Sequence, residues 1–307
     1  MASPSEVEVF NHALSGIGVD ENSLVSILVK SHDEHKKSIR KGCSQLFFED
    51  ERQFERWNQT AIKSLKAEFK RFKDVVLLSL MHPWERDARL LNKALKKGPQ
   101  QYNIIVEIAC TRSSDQLLGA RKAYHSLFDQ SIEEHLASHV KGSERKLLVA
   151  LVSAYRYEGS KVKEDTAKSE AKALLNAIKD GDKKKVMEND EVVRILTTRS
   201  KPHLKEVYQQ YKKISGKTII EDLEVVLLLK ETVECLCTPQ AYFTRVFDAA
   251  LRDNANEDAK KALTRLVATQ EDEEIKEVAA KFQDKIEERV KGAYKDVLVG
   301  VLAKEET

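Results

Sequence analysis

The pattern of Ile104–Ser113, which reads IIVEIACTRS, returns at Val192–Ser200 as VVRILTTRS. In both copies an apolar run leads into Thr-Arg-Ser, and the two arginines are 87 residues apart. Weaker copies lie at Leu24–Ser31 and Leu263–Gln270. Self-similarity at a fixed period indicates a repeat architecture. We therefore expect one structural unit to occur four times along the chain.

A second marker recurs in the same order as the first. An apolar segment introduced by charged residues begins at Val75, Leu147, Val225 and Val297, which are 72, 78 and 72 residues apart. Two independent markers with a similar period predict four repeats of roughly 70–80 residues. The expected bounds of the repeats are 8–81, 82–158, 164–237 and 240–306.

The composition predicts helices. Only 11 glycines and 5 prolines occur in 307 residues, which is low for a protein built from hairpins and turns. Leu117, Leu118, Arg121 and Tyr124 follow the spacing of one helix face. The length, the lack of nearby glycine or proline and the flanks of the apolar runs favour buried helices over strands. The predicted fold class is all-α.

Charge and cysteine content exclude several classes of protein. The 52 basic and 50 acidic residues leave a net charge of +2, which argues against nucleic acid as a partner. The sequence has no run of the roughly 18 apolar residues that span a bilayer and no secretory signal at Met1–Phe10. Four cysteines in a chain of this length suggest a reduced compartment. We expect a cytoplasmic protein without a transmembrane segment.

The segment Ser15–Glu21, which reads SGIGVDE, is the best candidate for a binding site. Two glycines at i and i+2 allow a sharp turn that exposes backbone carbonyl groups, and Asp20 is placed to cap the helix that follows. Carbonyl oxygens beside a carboxylate suit a hard cation such as Ca²⁺. An ordinary glycine-rich turn between helices is the alternative, and it remains open from this segment alone.

Taken together, the four units, this loop and the Thr-Arg-Ser echo resemble the annexin family. The segments His82–Ala88, Arg121–His125 and Tyr155–Glu158 resemble its plant branch, and the chain looks closest to the D4-like plant annexins. The resemblance covers essentially the whole chain. It implies four annexin repeats of five short helices each, arranged in a curved disc.

The resemblance also implies a Ca²⁺ site in the first repeat. Its ligands would be the carbonyl groups of Leu14, Gly16 and Gly18 and the carboxylate of Glu68, and the ion would bridge to phospholipid head groups. An apparent insertion around Phe47–Trp57 lengthens the gap between this loop and Glu68.

Lipid contacts are expected at the same loop and at a second one. Ile17 and Val19 would touch the membrane beside the ion, although Val19 replaces the threonine usual in the family. Lys183 and Lys184 would touch anionic lipid.

The other three loops look eroded as calcium sites. The second, Lys96–Gln100, has one glycine and a proline, and the third places Asp180–Asp182 beside three lysines. In the fourth, Asp253–Glu257 lacks the glycines, and Arg289 stands where the family has an acid.

Other candidate residues each have a structural alternative. Cys110 and Cys235 match two cysteines that plant annexins are thought to place close together, so they form a candidate redox pair, with buried unreactive thiols as the alternative. His135 and His139 have the spacing of a helical zinc pair but lack a third ligand, so solvent-facing histidines are expected. Arg112 and Arg199 of the echo are expected to form structural or inter-module salt bridges.

The predicted function is calcium-dependent, reversible binding to acidic phospholipid membranes in calcium or stress signalling, with no catalytic activity. Actin and other annexins are further candidate partners, since Val193–Ile195 resembles a tripeptide proposed for actin binding, although a core role is expected for it. The first alternative is a calcium-insensitive helical scaffold for protein partners. A redox enzyme or an ion-conducting protein is the third candidate function.

Overall fold

Helices make up nearly all the regular structure of this chain. The computed structural model describes residues 3–30, 33–49, 55–179, 185–269 and 273–303. Nineteen α-helices and four short strands lie within these ranges. The predicted all-α class is therefore confirmed.

The bounds of the elements are as follows. The helices before residue 82 are α1 (Pro4–Ala13), α2 (Glu21–Lys30), α3 (Asp33–Gly42) and α4 (Gln59–Leu80). The next ten are α5 (Pro83–Lys97), α6 (Tyr102–Thr111), α7 (Ser114–Phe128), α8 (Ile132–His139), α9 (Glu144–Val152), α10 (Glu164–Lys179), α11 (Asp190–Thr198), α12 (Lys201–Ser215), α13 (Ile219–Asp222) and α14 (Leu227–Cys237). The last five are α15 (Pro239–Ala250), α16 (Glu257–Ala268), α17 (Glu273–Lys281), α18 (Gln283–Arg289) and α19 (Gly292–Leu302). The strands are β1 (Ile17–Gly18), β2 (Phe47–Glu49), β3 (Glu55–Trp57) and β4 (Val290–Lys291).

The helices fall into groups along the chain. Five lie from α5 to α9, five from α10 to α14 and five from α15 to α19. The first stretch differs, because its described part has four helices, and one of them, α4, is 22 residues long. The bounds of the four repeats stay a prediction.

The apparent insertion forms a hairpin. Strands β2 and β3 pair antiparallel, with Phe47 opposite Trp57. The two rings have centroids 4.1 Å apart, so the base of the hairpin is closed by an aromatic pair. Residues 50–54 lie outside the described residues.

The chain divides into two compact units. Unit 1 is built from both ends of the chain, residues 1–80 and 244–307, and unit 2 is residues 81–243. In unit 1, α4 packs against α16 and α19, and α1 packs against α2 and α3. One buried apolar cluster of unit 1 comprises Phe10, Ala13, Val19, Leu24, Ile27, Ile39, Cys43 and Phe47.

In unit 2, the Thr-Arg-Ser echo links one helix to the next. Arg112 follows α6 and binds the buried carboxylate of Asp87 on α5 through two hydrogen bonds, of 2.6 and 3.1 Å. Arg199 follows α11 and binds Glu170 on α10 at 2.6 Å. Both arginines thus form the structural salt bridges expected of them.

The serines of the echo start the following helices. Ser113 caps α7 in a reciprocal capping box with Gln116, and Ser200 caps α12 through the backbone N–H of His203. Each copy of the motif therefore ends one helix, holds a carboxylate and begins the next helix.

Candidate calcium site

The loop between α1 and α2 turns through two glycines. Gly16 and Gly18 have φ angles of +86° and +80°, in the left-handed region that glycine adopts without strain. The carboxylate of Asp20 then accepts hydrogen bonds from the backbone N–H of Ser23 at 3.1 Å and from its hydroxyl at 2.7 Å. The predicted capping role of Asp20 is confirmed.

The backbone of Gly18 lies directly against a second strand. β1 pairs in parallel with β4, with Gly18 opposite Lys291. A Cβ atom on Gly18 would lie 2.5 Å from the carbonyl oxygen of Lys291, which is closer than real Cβ atoms approach. The loop can therefore keep this position only with glycine at residue 18.

The loop also meets the carboxylate that the resemblance assigns to it. Glu68 lies on α4, is 4% exposed, and accepts a 2.8 Å hydrogen bond from the backbone N–H of Gly18. The fold thus brings together two groups that are fifty residues apart in sequence. A role for Glu68 as a calcium ligand stays a prediction.

Two cations already hold this carboxylate. Arg71 donates from Nε to Oε2 of Glu68 at 2.6 Å and from Nη2 to Oε1 at 3.0 Å. Lys260 on α16 donates to Oε1 at 2.9 Å. The same Nη2 atom of Arg71 binds Glu257 at 2.7 Å. We call these four residues the Glu68 quartet; it holds two positive and two negative charges.

The quartet favours the ionised form of Glu68. Burial alone would raise the pKa of this carboxyl group, but the hydrogen bonds from Arg71, Gly18 and Lys260 outweigh it and lower the pKa below its ordinary value. Burial also acts against the charge of Arg71, and its bonds to Glu68 raise the pKa of Arg71 above its ordinary value. Each charge is stabilised by the others, and both oxygens of Glu68 accept hydrogen bonds from within the protein.

The residues present therefore fit a calcium ion only in part. The glycine turn places carbonyl groups in a loop of the kind that calcium sites use. Leu14 is the C-cap residue of α1 and the first residue of this loop. The carboxylate half does not fit as arranged, because both oxygens of Glu68 accept hydrogen bonds from cations. Among the described residues, no three His, Cys, Asp or Glu side chains form a group that could hold a metal ion.

The two apolar residues of the loop face inward. Ile17 is 5% exposed and Val19 is 2% exposed. In this conformation neither side chain is presented to a lipid surface, so lipid contact through them requires the loop to open. Their predicted lipid role stays a prediction, as does that of Lys183 and Lys184, which lie outside the described residues.

An ion pair also joins the two segments that the resemblance assigns to the fourth calcium loop. Arg289, which stands in place of the usual acid, donates from Nη1 to the carboxylate of Asp253 in the preceding loop. A cation of the chain itself thus lies against that loop. The expectation that the fourth calcium site is altered stays a prediction.

The cysteines of unit 2 are buried thiols. Cys110 is 0% exposed and Cys235 is 1% exposed. Burial raises the pKa of Cys110 to about 11 and that of Cys237 to about 12, and it also raises the pKa of Cys235, to which the nearby Cys110 contributes. Thiols with raised pKa values react slowly, because the thiolate is the reactive form. The redox role of the pair stays a prediction.

The structure contradicts the expectation of a solvent-facing ring for His135 and confirms it for His139, which is exposed. His135 is 7% exposed, and its Nδ1 atom lies 2.5 Å from the hydroxyl of Tyr124, which also accepts a hydrogen bond from Asn92. The ring is therefore a buried member of a polar network in unit 2. The expectation failed because helical spacing does not show which face of α8 is covered.

Sequence reasoning missed the cations of the quartet. Arg71 had a local signal, since it lies three residues after Glu68 on the same helix. Lys260 had none, because it lies 192 residues from Glu68 and only the fold brings it close. Its pairing depends on α16 packing against α4.

The fold and this loop define a class of all-α proteins with a glycine turn between two helices, and comparisons with known proteins identify the class. The Annexin family profile matches residues 86–151 and 174–227. The chain is 50% identical over 318 residues to Annexin D4 of Arabidopsis thaliana, covering 99% of each chain. It is 34% identical over 317 residues to Annexin-like protein RJ4 of Fragaria ananassa, covering 98% and 96%. The chain therefore belongs to the annexin family, as a D4-like plant annexin.

A solved structure supports the fold separately. Annexin III superimposes with a TM-score of 0.67 at 24% identity, over 99% of this chain and 95% of that one. Family membership supports calcium-dependent phospholipid binding in general, and annexins are mainly non-enzymatic proteins. Within the described ranges, no helix combines the length and the apolar character needed to span a bilayer.

Proposed function

We propose that this annexin attaches reversibly to acidic phospholipid membranes when calcium rises, through the loop Leu14–Asp20 and the carboxylate of Glu68. The observation that carries the proposal is the 2.8 Å hydrogen bond from the Gly18 N–H to Glu68. It joins the loop and the acid that the family resemblance assigns to one calcium site.

The donors of this site are oxygen atoms. We assign the carbonyl groups of Leu14, Gly16 and Gly18 to the ion, with the carboxylate of Glu68 as the side-chain ligand. Such donors suit Ca²⁺, which supplies positive charge that anionic lipid head groups can share. Opening of the loop would also expose Ile17, and an apolar side chain of this kind can insert shallowly between head groups.

The charge of the chain supports a calcium-dependent switch. A net charge of +2 gives little electrostatic attraction to an anionic bilayer in the absence of calcium. We therefore place the protein in the cytoplasm, bound peripherally to membranes after a calcium signal, and in stress responses by resemblance to plant annexins. We assign it no catalytic activity.

Co-sedimentation with phosphatidylserine vesicles tests the proposal. The full chain is expected to sediment with vesicles in calcium and to stay in the supernatant in EGTA. Glu68→Gln is expected to raise the calcium concentration needed for half-maximal binding by about tenfold, since a charged ligand is replaced by a neutral one.

The matched control is Asp74→Asn, which also replaces a carboxylate by an amide on α4, at a partly exposed side chain that pairs with Lys70 at 3.6 Å. It should leave the calcium requirement unchanged. A melting curve of each variant separates loss of binding from loss of folding. If Glu68→Gln folds and binds as the wild type does, Glu68 is not the ligand.

A calcium-insensitive scaffold is the second candidate. It is favoured by the satisfied Glu68 quartet and by the ion pair between Arg289 and Asp253, which place internal cations at two of the four loops. Equal sedimentation with calcium and with EGTA, or none in either, would support it over the calcium switch.

A further inference from the structure

The Glu68 quartet is neutral, and its side chains are largely buried except that of Glu257, which is 42% exposed. Glu68 and Arg71 are 4% and 3% exposed, and the side chain of Lys260 is 15% exposed. The two carboxylates share one nitrogen of Arg71, and Lys260 supplies the second positive charge. A cluster of this kind offers no net negative charge to an incoming cation.

A divalent ion at Glu68 would therefore meet two positive charges. Like charges within hydrogen-bond distance of one carboxylate repel strongly where water is excluded. Lys260 is the more easily displaced of the two. It makes one hydrogen bond to Glu68 through a flexible stem, whereas Arg71 makes two from a rigid fork.

Withdrawal of Lys260 would change the cluster in the direction that calcium needs. Two carboxylates and one guanidinium carry a net charge of −1, and Oε1 of Glu68 loses one of its two donors. Among the described residues, Oε2 of Glu257 is also buried without a hydrogen-bond donor. Negative charge and free carboxylate oxygens are the features that raise the calcium affinity of a site.

We propose that Lys260 is an internal counter-ion that competes with calcium for Glu68 and so sets the calcium concentration at which this annexin responds. The proposal rests on the calcium site of the proposed function. It adds an affinity-determining residue on α16 that takes no part in coordination. A similar pairing occurs in the loop between α15 and α16, where the positive side chain of Arg289 binds the carboxylate of Asp253.

Calorimetric titration of the full chain with calcium, without membranes, tests the proposal. Lys260→Met keeps the length of the side chain and removes its charge, and it is expected to bind calcium about tenfold more tightly than the wild type, the usual size of one charge-assisted hydrogen bond. Lys261→Met is the matched control, since Lys261 lies on the same helix with its side chain 43% exposed. It should bind as the wild type does.

A melting curve and a charge-conserving variant complete the test. In EGTA, Lys260→Met should melt below the wild type, and calcium should raise its melting temperature more than that of the wild type. Lys260→Arg keeps a cation at the site and should retain a calcium affinity close to that of the wild type. If Lys260→Arg binds as tightly as Lys260→Met, packing rather than charge is responsible and the proposal is overturned.

The remaining outcomes separate this proposal from the proposed function. Equal calcium affinity in the wild type and Lys260→Met overturns the role of Lys260 and leaves the calcium site in place. If Lys260→Met binds calcium and the wild type does not, the result supports the role of Lys260, because the lysine then prevents calcium binding altogether. If neither protein binds calcium at millimolar concentration, the role of Lys260 and the calcium site both fail.

Discussion

Residue 18 lies where three constraints meet. Its backbone has a φ of +80°, its N–H donates to Glu68, and the carbonyl oxygen of Lys291 lies where a side chain would begin. Because φ is positive, any residue with a side chain would be strained at position 18. Because the carbonyl oxygen of Lys291 is so close, an added Cβ atom would also force β1 and β4 apart. The loop, the buried carboxylate and the paired strand are therefore coupled through one glycine.

Gly18→Ala is expected to lower the free energy of unfolding by about 2–3 kcal/mol, through backbone strain and displacement of β4. Gly216→Ala is the matched control, since Gly216 has a φ of +76° and no atom within 4 Å of its added Cβ. It should lose only about 1 kcal/mol. Urea unfolding measures both losses. Equal losses would show that contact with Lys291 carries no penalty.

At the scale of elements, the Thr-Arg-Ser echo works as a linker between helices. The hydroxyl of Thr111 donates to the carbonyl oxygen of Glu107 at 2.7 Å, and the hydroxyl of Thr198 donates to the carbonyl oxygen of Arg194 at the same distance. Each copy then combines an arginine paired with a carboxylate and a serine that caps the next helix. Both copies turn the chain between two helices and satisfy backbone groups at the helix ends.

Loss of the cap should therefore be measurable. Ser113→Ala removes the side-chain acceptor of the capping box of α7 and is expected to lower the free energy of unfolding by about 1 kcal/mol. Ser126→Ala changes an exposed serine later in α7, where alanine is the better helix former, and should cause no loss. If both variants unfold at the same urea concentration, the capping box adds no stability.

How far the sequence predicts this structure depends on the range of the contacts. The repeated motif, the all-α class and the cap at Asp20 follow from local spacing, and each was predicted. The hairpin was not predicted as strands, because three residues from Phe47 to Glu49 are too short to show a period of two. The contact of Lys260 with Glu68 depends on helices from opposite ends of the chain, for which a single sequence carries no pattern.

For the whole molecule, buried carboxylates held by cations link stability to pH. Glu170 is 5% exposed and accepts hydrogen bonds from Arg199, Arg194 and His203. Burial alone would raise its pKa, but these bonds outweigh it and lower the pKa below its ordinary value of 4.5. The unfolded chain then binds the proton more tightly than the folded chain does. This contribution to stability is present above pH 4.5 and is lost as the pH falls through the lowered pKa.

Acid should therefore destabilise the wild type more steeply than a variant without this group. Between pH 5 and pH 3, the free energy of unfolding of Glu170→Gln is expected to fall less than that of the wild type, although the variant is less stable at pH 7. The chain as a whole becomes more positive in acid, which weakens both proteins alike through self-repulsion. Glu224→Gln, a change at an exposed carboxylate of the same unit, corrects for that common effect and should follow the wild-type curve. Urea unfolding across this pH range measures all three, and a Glu170→Gln curve parallel to that of the wild type would show that the ion pairs of Glu170 add no pH-dependent stability.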